Sequence, residues 1–77
     1  MELNEIEFVV LRAIYNETKD VNSKGIKGNQ IFPKYVTNSD KLFEILSKFK
    51  KLNLITITDR ENIKISPTGI DRVENLN

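Results

Sequence analysis

Cysteine and histidine are both absent from the 77 residues. Without cysteine there are no disulfides, thiolate metal ligands or thiol nucleophiles to stabilise or activate so short a chain. Without histidine, the commonest metal ligand and the commonest proton shuttle near neutral pH are missing too. No cofactor, metal or enzyme active site is therefore expected, since carboxylates alone would need a cleft that holds them in pairs. No apolar run approaches the roughly 20 residues that cross a bilayer. The opening residues include Glu2 and Glu5, acidic where a signal peptide is basic, so a cytoplasmic location with no membrane partner is expected. No repeat or low-complexity tract breaks the chain, which reads as one domain over residues 1–77.

What is present is an ordinary globular composition, 39% apolar and 30% charged. A chain of this size buries only about 60% of the surface its unfolded state exposes, so it has one small core. The net charge of +1 conceals a polarity along the chain. Residues 1–20 carry a net of −3, residues 21–58 a net of +5 and residues 59–77 a net of −1. The positive middle suits a polyanionic partner. Lysines of an ordinary solvated surface would give the same count.

Apolar spacing predicts a first helix over residues 3–15, with two sets of side chains covering more than half of its circumference. So wide an apolar surface needs covering on more than one side, by another helix of the chain or by a second copy. Residues 16–28 are polar and punctuated by Gly25 and Gly28, which predicts a loop. Residues 29–35 hold Ile31, Phe32 and Tyr35 around Pro33, a brief second helix at most. A third helix is predicted over residues 38–52, with Leu42, Ile45, Leu46, Phe49 and Leu52 on one arc. Thr37, Asn38 and Ser39 offer cap oxygens, and Asp40 follows Thr37 at capping-box spacing. Asn53 stands where a left-handed residue ends a helix. The period then switches to two: residues 54–58 and 62–66 alternate around Asp59-Arg60-Glu61, a β-hairpin. Ser66 and Pro67 open a last helix with Ile70, Val73 and Leu76 on its apolar edge.

Two stretches carry a resemblance. Residues 42–55 (LFEILSKFKKLNLI) are similar to the recognition-helix signature of MarR-like and PadR-like regulators, and residues 65–69 (ISPTG) resemble the turn after their wing strands. Across nearly its whole length the chain thus resembles a winged helix-turn-helix domain. The fold this implies is mostly α with a small β-hairpin, in the order helix, short helix, helix, strand, strand, helix. The implied function is a small DNA-binding transcriptional regulator of double-stranded DNA, with the third helix in the major groove and the hairpin wing (residues 54–66) on the backbone. A homodimer through the first and last helices would double a small interface over a two-fold site. The fold also serves protein-interaction and adaptor modules that bind no DNA.

The residues that would carry DNA binding are Lys34, Asn38, Ser39, Lys41, Ser47, Lys48, Lys51 and Arg60. The resemblance implies phosphate or guanine contacts for Lys41 and Lys48, with Lys51 and Ser47 continuing the same helix. It puts Arg60 at the wing tip and Lys34 against the backbone. Each has a plainer role: a solvated face for the lysines, a charged turn for Arg60, helix capping for Asn38 and Ser39. Phe43 is expected to pack on the short second helix. Asp40, Glu44, Asp59 and Glu61 place negative charge where a DNA contact favours positive.

Overall fold

The computed structural model describes residues 3–20, 22, 24–31, 36–58 and 60–75. Helix α1 spans Glu5–Thr18. It begins at Asn4, whose side chain accepts from the Glu7 amide at 2.8 Å while the Glu7 carboxylate accepts from the Asn4 amide at 2.9 Å. That reciprocal capping box satisfies two donors the helix start would otherwise leave open. The helix runs nearly a turn beyond Tyr15, where the polar loop was expected to begin, because Thr18 is drawn inward and fully buried.

The expected short second helix is corrected. A single 3-10 turn, Gly28–Gln30, takes its place, and residues 32–35 lie outside the described residues. The turn closes through Gln30 N–H to the Lys27 carbonyl and Ile31 N–H to the Gly28 carbonyl, both at 3.0 Å. The Gln30 side chain also turns back to accept from the Lys27 amide at 2.8 Å. Glycine and asparagine are weak helix formers, which suits a short 3-10 turn at Gly28–Gln30. Among the described residues the order is helix, helix, strand, strand, helix, in place of the four-helix winged helix-turn-helix expected from the sequence.

Helix α2 spans Ser39–Lys51. The expected capping box between Thr37 and Asp40 is replaced by Asn38, whose side-chain oxygen accepts from the Asp40 amide at 2.9 Å and the Lys41 amide at 3.1 Å. Asparagine is the stronger cap and sits one residue nearer the helix. At the other end Asn53 adopts φ 59°. Leu54 N–H reaches the Phe49 carbonyl at 2.9 Å and Asn53 N–H the Lys50 carbonyl at 3.1 Å, the Schellman closure expected there.

Strands β1 (Ile55–Ile57) and β2 (Ile63–Ile65) pair antiparallel, with Thr56 opposite Lys64. The outer edge of β2 is also occupied. Ile26 exchanges two backbone bonds with Ile63, at 2.8 and 2.7 Å. The buried Thr18 hydroxyl accepts from the Ile65 amide at 2.8 Å and donates to the Ile14 carbonyl at 2.7 Å. Gly25, just before that bridge, has φ 91°, and a Cβ there would stand 2.8 Å from the Ile63 carbonyl oxygen.

Helix α3, Pro67–Glu74, starts as the sequence predicts: Ser66 accepts from the Gly69 amide at 3.0 Å and Pro67 occupies the first turn. It lies against α1, where the Tyr15 hydroxyl donates to Glu74 at 2.8 Å. That bond to a carboxylate, with burial and the Glu74 charge, holds the Tyr15 phenol above its ordinary pKa. One apolar cluster joins α1 (Val10, Leu11, Ile14), α2 (Leu42, Ile45, Phe49), the hairpin (Ile55, Ile63, Ile65) and Val73 of α3. Each such side chain contributes about 1.5–3 kcal/mol when removed from water. The wide apolar surface of α1 is not fully covered, for Ile6 and Val9 stay exposed.

Candidate nucleic-acid interface

Helix α2 and the hairpin stand together, joined by the turn at Asn53. At about 100° per residue, burying Leu42, Ile45 and Phe49 points Asp40, Phe43, Glu44, Ser47 and Lys51 outward, with Lys50 exposed at the edge of that face. Phe43 is the most exposed large apolar side chain among the described residues, at 73%. The expectation that it packs on a second helix is therefore overturned.

The predicted residues divide. Ser47, Lys48 and Lys51 come together with Phe43 and Glu44 around one shallow depression. Lys48, however, leans across to α1 and is partly buried, with its ammonium 2.9 and 3.1 Å from the two Glu7 carboxylate oxygens. The Asn4 amide holds the Glu7 carboxyl below its ordinary pKa. Burial opposes this, while Lys48 and the nearby charge of Lys41 reinforce it. Lys41 and Lys48 thus flank the helix on the α1 side, and the outermost basic residues are Lys50 and Lys51. Asn38 is engaged as the helix cap, and Ser39 begins α2 exposed. Lys34 lies outside the described residues.

Arg60 is exposed at the hairpin tip. The turn closes with Glu61 N–H on the Thr58 carbonyl and Thr58 N–H on the Asn62 carbonyl, both at 2.9 Å, and Glu61 takes φ 61°. The Lys27 ammonium donates to the Arg60 carbonyl, tying the tip to the segment before the 3-10 turn. Between α2 and the hairpin opens a cleft of about 610 Å³, floored by Phe43, Leu46, Ile57 and Ile63 with Lys27 and Glu61 on its rim.

Sequence reasoning missed Lys27, Lys50 and Glu7 at this face. The Asn4-to-Glu7 spacing was legible as a capping box. Nothing local announced that the same carboxylate would hold Lys48, 41 residues away. Among the described residues no group of three or more acidic side chains could hold a metal ion, and no helix is long and apolar enough to cross a membrane. No protein-family model, curated protein or solved structure matches the chain.

Proposed function

We propose that the chain is a small DNA-binding regulator that lays α2 along the major groove of duplex DNA and sets the hairpin beside the adjacent backbone. The observation that carries this reading is the basic C-terminal half of α2. Ser47, Lys48 and Lys51 share one depression, with Lys50 also outward and an exposed Arg60 at the tip of the hairpin that follows. The resemblance of residues 42–55 and 65–69 to MarR-like and PadR-like regulators supports it. A homodimer belongs to the same reading, with Ile6 and Val9 of α1 supplying exposed apolar surface.

The test is a titration of genomic duplex fragments with the intact chain at two salt concentrations. Affinity should fall steeply with salt, by about 0.9 in log K per log salt for each phosphate contacted. Two chains per shifted duplex is the expected stoichiometry. No shift at low salt rejects the reading. It would leave the second one, a protein-interaction module without DNA, which is favoured by the exposure of Phe43 beside an apolar cleft.

A further inference from the structure

The centre of the outward face of α2 is not basic. Asp40, Phe43 and Ser47 follow one another at spacings of three and four residues, with Glu44 beside them, and the lysines lie toward the helix end or on the α1 flank. In the major groove the thymine 5-methyl is the apolar feature of a base edge, guanine presents two acceptors, and cytosine and adenine present amino donors. Carboxylates accept and do not donate, so Asp40 and Glu44 oppose guanine and tolerate amino groups. Phe43, 73% exposed, offers an apolar contact and no hydrogen bond.

We propose that Phe43 determines specificity by reading the 5-methyl group of a thymine in the major groove, an inference that rests on the DNA-binding reading above. Phosphate or guanine contact by Lys41 and Lys48 was the sequence expectation for this helix. The outward placement of Phe43 and the engagement of Lys48 by Glu7 move base reading from the lysines to the aromatic ring. Lys50 and Lys51, near the helix end, are left to meet phosphates.

The experiment uses a duplex site selected from a random library with the intact chain, followed by single replacement of each thymine by deoxyuridine. This removes the methyl group and keeps base pairing. One position should weaken binding about fourfold, as expected for the loss of one buried methyl group. Phe43→Ala should bind more weakly than the parent and show no difference between thymine and uracil at that position. Phe43→Leu should keep part of the difference. Because Phe43 is exposed, the variants should unfold at the parent temperature, which separates contact from folding. If selected sites bind well but no uracil replacement matters, or if Phe43→Ala still senses the methyl, the inference is overturned and the DNA reading stands. If the parent binds no duplex at low salt, both fall.

Discussion

The root and the tip of the hairpin are built on opposite principles. At the root, Leu54, Ile55, Ile65 and Ser66 are buried, and Leu54 N–H bonds the Phe49 carbonyl while Ile65 N–H bonds the Thr18 hydroxyl. Ser66 N–H bonds the Leu54 carbonyl at 3.0 Å, and the Ser66 hydroxyl bonds the Asn53 carbonyl while capping α3. At the tip, Arg60 and Glu61 are exposed, and Glu61 holds a left-handed conformation. The difference teaches where this small chain concentrates its specificity of fold. The root joins α2, α3 and the sheet within a few residues, so any change there is felt by all three. Among the described residues the tip is held by its own turn and by the Lys27 tie.

The sharpest way to break the contrast is Gly69→Ala at the root. A Cβ on Gly69 would stand 2.1 Å from the Leu54 carbonyl oxygen and 2.7 Å from the Ile65 side chain, so backbone must move. Urea unfolding should show a loss of about 3 kcal/mol, the upper range for forcing atoms into a packed interior. A loss under half of that would mean α3 slides freely and the root is less rigid than described.

Thr18→Val comes next. It keeps the shape of a fully buried side chain but strands the Ile65 amide on the edge of β2. An unpartnered buried donor costs about 1–3 kcal/mol, and the Ile65 amide should lose hydrogen-exchange protection. Unchanged protection would mean another group closes that edge.

The smallest effect is expected at the tip and with the opposite sign. Glu61→Gly removes the strain of φ 61° while adding freedom to the unfolded chain. Thermal unfolding should show a net gain of about 0.5 kcal/mol, within the range left when these two terms oppose. A clear loss would place Glu61 in a structural contact and erase the contrast between root and tip.

Legibility in the sequence followed the range of the interactions. The end of α2 at Asn53, the change to alternating β-branched residues and the Ser66-Pro67 start of α3 all depend on neighbours within a few positions, and each was read correctly. The short second helix was expected from Ile31, Phe32 and Tyr35, periodic over very few residues, whereas the described part of that stretch closes as a 3-10 turn at Gly28–Gln30. At the candidate interface, Ser47, Lys48 and Lys51 were foreseen and do share one place. Phe43 was placed on the exposed margin of the helix and expected to pack against a short second helix, but it stands 73% exposed.

By itself the sequence determined the local punctuation of this protein: its caps, its change of period, its positive middle, and the lack of thiol and imidazole chemistry. These are short-range or compositional properties that need no knowledge of packing. Only the tertiary structure decided that Thr18 seals the edge of β2, that Glu7 draws Lys48 aside, and that Phe43 stands in the open. The first two join residues 47 and 41 positions apart, and the third depends on how the core orients α2, which no short stretch of sequence settles.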